Sequence, residues 1–148
     1  GPVCSVILIT GAGGMFGGVL RSSGIGDALA DVLTDLGIPI ILAGFIIAVI
    51  MRVAQGSATV ALTTAAGLIA PAVMAAELGG LQVAALVVAV AAGSVALSHV
   101  NDSGFWLVGR FLEMDVRTTF RTWTVLETII AVVGFLIAAA VYGLAGLL

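Results

Sequence analysis

Residues 38–76 read IPIILAGFIIAVIMRVAQGSATVALTTAAGLIAPAVMAA, an apolar run broken once by the patch Arg52-Val-Ala-Gln55-Gly56-Ser57-Ala58-Thr59. A helix needs roughly 20 apolar residues to cross a bilayer, so a run of 39 residues predicts two helical arms, 38–54 and 60–75, with the chain reversing at Gly56. Thr63 and Thr64 carry the polar character into the second arm. Two geometries fit: two full spans with a tight loop at 55–58, or a re-entrant hairpin whose tip stops inside the membrane. Non-helical backbone at that depth must be buried in protein or line a wet cavity. Glycine and small hydroxyl residues at a tip suit such a cavity.

The neighbouring run, 80–112, repeats the theme. GLQVAALVVAVAAGSVALS is followed by His99-Val-Asn101-Asp102-Ser103-Gly104 and then by FWLVGRFL. It is too long for one straight span and too short for two. It predicts a broken helix: one arm to Ser98, an unwound polar turn, and a second arm from about 104 to 112 that Asp102 or Ser103 can N-cap.

The remaining segments complete an all-α polytopic membrane protein. Of 148 residues, 61% are hydrophobic and 9% charged, against about 25% charged in a soluble domain. That excludes a soluble enzyme, a disulfide scaffold and a disordered chain; the long unbroken apolar runs exclude a membrane β-barrel. Residues 3–20 predict a first span, with Gly13/Gly17 and Gly14/Gly18 forming small-residue packing faces. Its GAGG lacks the preceding strand and acidic partner that a dinucleotide loop requires. Residues 24–37 predict an amphipathic interfacial helix with Asp27, Asp31 and Asp35 on a solvated face. Residues 122–147 predict the last span, with Trp123 and Tyr142 at its ends. Arg110, Arg117 and Arg121 place the 113–121 loop in the cytoplasm and hence the C-terminus outside. The opening Gly1-Pro2, without Met or a basic region, is not a signal peptide, and the natural N-terminus is expected upstream. Cys4 is the only cysteine, so no internal disulfide forms. No basic run exists for nucleic acid.

The candidate site residues lie at the two breaks. Interrupted membrane helices expose N–H and C=O groups and helix-dipole ends, which form substrate and ion sites in secondary transporters. An ionisable group within a span is a functional candidate by default. Asp102 is the strongest: low dielectric favours its neutral form, which suits it to carry a proton; its alternative role is a helix cap. His99 titrates near physiological pH and is suited to share that proton; otherwise it bonds across helices. Asn101, Ser103, Ser57 and Thr59 offer uncharged donors and acceptors to a polyhydroxylated ligand. Arg52 is suited to fork onto a substrate carboxylate; alternatively it snorkels to the interface. Glu77 and Glu127 are expected at segment ends. One Asp beside one His is not a metal site. Without a Gly-x-Ser-x-Gly elbow, Ser57 and His99 do not make a hydrolase, so no catalytic residue is assigned.

RVAQGSATVALTTAAGLIAP (52–71), SHVNDSGFWLV (98–108) and TFRTWTVLETIIAVVG (119–134) together resemble the C-terminal part of the gluconate permease (GntP) family of bacterial proton symporters. The resemblance implies the second inverted repeat of an ion-transporter-superfamily fold, with 38–76 as its re-entrant hairpin and 80–112 as its broken helix. It implies import of gluconate or a related sugar acid with a proton, without a further cofactor, across the bacterial inner membrane and as a homodimer. It carries Gly56, Ser57 and Thr59 as a small polar tip, and His99, Asn101, Asp102 and Ser103 as the unwound turn. Family members are about three times as long, so an N-terminal repeat is missing here. The alternatives are a carrier of another organic anion, citrate or a dicarboxylate, and a truncated, non-transporting membrane module.

Overall fold

The computed structural model describes Met15 and residues 37–147. The expected span 3–20, the interfacial helix 24–37 and Cys4 lie, apart from Met15 and Gly37, outside the described residues. Among the described residues every regular element is helical: α1 (Ile40–Gln55), α2 (Ala58–Ala75), α3 (Gly80–Val95), α4 (Ser103–Phe111) and α5 (Val116–Ala145).

Local chemistry sets each boundary. Pro39 enters in an extended conformation, and its carbonyl accepts the Leu42 and Ala43 N–H groups that open α1. Gly56 ends α1 at φ 74°, a left-handed conformation suited to glycine. Its N–H still donates to Arg52 O at 2.9 Å. Ser57 then extends, and its Oγ accepts the Val60 N–H at 3.4 Å to cap α2. Two residues therefore reverse the chain. α3 stops at Val95, earlier than the Ser98 expected from the apolar pattern. Ala96 is extended and Leu97 left-handed (φ 52°). The Leu97 N–H is taken by Thr128 Oγ1 of α5 at 3.3 Å. Asp102 restarts helix as α4, its Oδ1 accepting the Gly104 N–H at 2.9 Å. Asp115 caps α5 through Thr118 N–H at 2.8 Å, so helix begins at Val116, inside the stretch expected as a loop over 113–121. α5 contains a π turn, Phe120–Thr124.

α3 is the central helix, packed against α1, α2 and α5. The core comprises Ile41, Ala48, Ala65, Ile69, Leu86, Ala89, Val90 and Ala138, half of them alanine. Membrane helices gain by close backbone approach across small residues, and Gly93 shows how close. A Cβ there would lie 2.5 Å from Phe45 O and 2.9 Å from Ala48 Cβ of α1. At the other end, Phe105 of α4 is buried against Phe120, ring centroids 4.8 Å apart, and docks α4 onto the start of α5.

α2 and α5 are long and apolar enough to cross a membrane. The outward side chains of α5, including Ile129, Ile130, Val133, Leu136 and Ile137, are large, apolar and exposed, as a lipid-facing surface is. α1 and α3 have 16 residues each, about 24 Å at 1.5 Å per residue.

Candidate functional site at the two helix breaks

The hairpin tip and the unwound turn of the broken helix meet. A Cβ on Gly56 would lie 2.3 Å from Asn101 O, so the two backbones are in direct contact. Asn101 Nδ2 donates to Val53 O near the end of α1 at 2.9 Å. Arg52, in the last turn of α1, reaches both breaks. Its Nη1 donates to Gly56 O at 2.7 Å, and its Nη2 to Asp102 Oδ2 at 2.5 Å. Arg52 is only 3% exposed and Asp102 7%. A buried guanidinium is stable only beside an opposite charge, and Asp102 supplies it. Asp102 thus has two roles: Oδ1 caps α4, while Oδ2 holds Arg52 and accepts Ser98 Oγ–H at 2.5 Å. The Arg52 Nε is buried with no partner among the described residues.

α5 fixes the turn from the far side. Trp123 Nε1 donates to Ser98 Oγ at 3.0 Å, and Thr124 Oγ1 to Ser98 O at 2.5 Å. Both residues belong to the π turn. π turns re-aim side chains within a helix and recur at functional sites. Glu127, expected at the interface, is half-buried and interacts electrostatically with Arg52 and Asp102.

Of the residues singled out in the sequence, Arg52, Gly56, Asn101 and Asp102 come together in one hydrogen-bonded cluster. The remaining ones surround it. Ser57 is the α2 cap, half-buried; Thr59 is exposed in the first turn of α2; Ser103 is exposed as the first residue of α4. His99 is half-buried, with Nδ1 2.7 Å from Leu97 O of its own loop. Sequence reasoning does not single out Ser98, Trp123, Thr124 and Thr128 as site residues. Their signal is present all the same: Thr124 and Thr128, four apart and so on one helix face, directly after Trp123. Among the described residues no three His, Cys, Asp or Glu side chains group as metal ligands. A separate cavity of about 580 Å³ lies between α4 and α5, lined by Val108, Phe111, Leu112, Met114, Thr122, Trp123 and Leu126. It is nearly all apolar and offers a polar solute little to bind.

Two interrupted apolar segments joined on a buried ion pair, beside helices able to cross a bilayer, define an all-helical membrane protein with a polar centre. Comparison with known proteins gives the particular family. Residues 1–144 match the GntP family permeases, and the chain belongs to that family. It is 44% identical over 143 residues to a low-affinity gluconate transporter of Escherichia coli strain K12, covering 97% of this chain and 32% of the relative. It is 47% identical over 137 residues to the inner membrane permease YgbN of the same strain, covering 93% and 30%. A gluconate permease of Pseudomonas aeruginosa is 44% identical over 133 residues, covering 90% and 29%. The chain thus spans about a third of the length of the curated relatives it matches. No solved structure matches it.

Proposed function

We propose that this chain forms the C-terminal part of a proton-coupled permease that imports gluconate or a related sugar acid across the bacterial inner membrane. The carrying observation is the meeting of the two helix breaks on the buried Arg52–Asp102 pair, in a chain of a permease family. In this reading 38–76 is a re-entrant hairpin, 80–112 the broken helix that meets it, and an N-terminal repeat supplies the other half of the site. The backbone of the Gly56 tip packs directly against Asn101 of the unwound turn, which supports a hairpin whose tip is buried in protein rather than looped into water. Ser57, Thr59, Asn101 and Ser103 bind substrate hydroxyls, Gly56 lets the tip approach, and Arg52 takes the carboxylate. Asp102, with His99 beside it, carries the proton. The permease works as a homodimer, with the 113–121 segment cytoplasmic and the C-terminus outside.

A singly charged substrate is favoured over citrate or a dicarboxylate. Among the described residues Arg52 is the one arginine at the breaks, since Arg110, Arg117 and Arg121 lie at the end of α4 and the start of α5. The test is uptake of labelled gluconate by cells or proteoliposomes carrying the complete permease, with and without an imposed proton gradient. Gradient-driven uptake that Asn101→Ala and Ser103→Ala weaken in affinity supports the reading. Uptake indifferent to the gradient removes the proton coupling.

A further inference from the structure

The deciding detail is which edge of the Arg52 guanidinium is occupied. Nη1 donates to Gly56 O and anchors the hairpin tip. Nε and Nη2 form the side edge, a fork that matches a carboxylate in two parallel bonds. That edge is half used. Nη2 donates to Asp102 Oδ2, while the buried Nε has no acceptor among the described residues. Arginine cannot shed a proton to relieve this. Asp102 is not free to fill both positions, because its Oδ1 is committed to the Gly104 N–H.

We propose that a substrate carboxylate and Asp102 compete for the Nε–Nη2 edge of Arg52, and that Asp102 takes up one proton when it is displaced. This rests on the reading of the breaks as an anion site and adds the device that links anion to proton. The Arg52–Asp102 pair has zero net charge. A monoanion entering alone leaves one uncompensated negative charge in a buried layer, which is strongly disfavoured. A monoanion entering with a proton restores zero. The O–H bond forms at Oδ2, the oxygen that Nη2 releases; the proton comes from water on the side the anion enters, and no other covalent bond changes. Ser98 is placed to accommodate the change. Its hydroxyl donates to Oδ2 in the structure, and a serine hydroxyl that turns can accept instead. Trp123 and Thr124 hold it in place meanwhile.

The other groups facing Asp102 are few. α2 and α3 carry no ionisable side chain. His99 lies on the same turn with its ring on Leu97 O, and Glu127, half-buried on α5, lies within electrostatic range of the pair. Asp102 is the one acidic side chain in an ion pair with Arg52 among the described residues.

The test is calorimetric binding of gluconate to the complete purified permease in two buffers of different ionisation enthalpy. Wild type is expected to take up about one proton per gluconate at high pH, and to lose affinity about tenfold per pH unit there. Asp102→Asn is expected to bind gluconate without proton uptake, its affinity varying less than about twofold over the same range. Wild-type binding without proton uptake overturns the exchange and leaves the anion site standing. A folded wild type that binds no gluconate overturns both. Proton uptake that persists in Asp102→Asn belongs to His99 or Glu127 and overturns the exchange. Should Asp102→Asn fail to fold, the wild-type value decides: one proton per anion supports the exchange, none overturns it.

Discussion

Replacing Gly56 by alanine is expected to be more damaging than the same change at Gly93 or Gly80, because two separate costs fall on one atom. Gly56 has φ 74°, and a residue with a Cβ pays about 1–2 kcal/mol in that left-handed region. The added Cβ would also sit 2.3 Å from Asn101 O and 2.7 Å from Asn101 C. Those are backbone atoms, tied down by Asn101 to Val53 and by Asp102 to Arg52, so relief requires moving the second break away from the first. Overpacking of that kind adds about 1–3 kcal/mol, for a sum of about 2–5 kcal/mol. Gly93→Ala isolates the steric part, since its Cβ would meet Phe45 O at 2.5 Å without a left-handed backbone; about 1–3 kcal/mol of overpacking is offset by up to about 1 kcal/mol of helix propensity. Gly80→Ala meets nothing within 4 Å and is expected within about 0.5 kcal/mol of wild type. The assay is thermal unfolding of the complete permease in detergent, followed by loss of monodisperse protein, with gluconate uptake measured alongside. The expected order of damage is Gly56, Gly93, Gly80, with uptake lost at Gly56. A Gly56→Ala protein as stable as Gly80→Ala would refute the contact between the breaks.

Three further outcomes follow from the same contacts. Arg52→Met leaves Asp102 buried without its cation and is expected to destabilise by about 3–5 kcal/mol; adding Asp102→Asn should recover part of that, and a double-mutant cycle with no coupling would contradict the buried pair. Ser98→Ala strands both the Trp123 indole N–H and one bond to Asp102 Oδ2, an expected loss of about 1–3 kcal/mol. Trp123→Phe strands nothing charged and should be milder in the same unfolding assay. The Asp115 carboxyl is held below the usual carboxylate range, chiefly by its hydrogen bonds from Thr118. Its charged form therefore favours the folded cap. That contribution is present above the ordinary carboxylate value and is lost as pH falls through the lowered one. Asp115→Asn should flatten the acid limb of the stability profile, and an unchanged limb would refute the cap.

The breaks are legible because membrane segments leave so little room for polarity. Arg52 through Thr59 and His99 through Gly104 stand out in runs whose one other charge is Arg110, and helix interruption there follows from backbone chemistry alone. Pairing is not legible in the same way. Arg52 and Asp102 are 50 residues apart, and only the packing of α1 against α3 brings them into reach. Read singly, Arg52 has either a substrate or the interface as partner, and Asp102 either a proton or a helix cap. The structure gives Asp102 the cap and Arg52 together, one on each oxygen. The tryptophan after Thr122 also reads differently alone: a ring at a span end suits a membrane interface, whereas a π turn aims its N–H at Ser98. The apolar pattern overestimates the first arm of the broken helix because Ala96 and Leu97 are apolar. Apolar composition does not reveal that Thr128 captures the Leu97 N–H.

The central claim is that the hairpin tip and the unwound turn form one substrate site. Its most direct test places single cysteines at Thr59 and Ser103, both exposed, in a cysteine-free complete permease, and follows labelling by a membrane-impermeant thiol reagent in cells. The account predicts that both positions label and that gluconate slows both together. Labelling at both positions that gluconate leaves unchanged would contradict it.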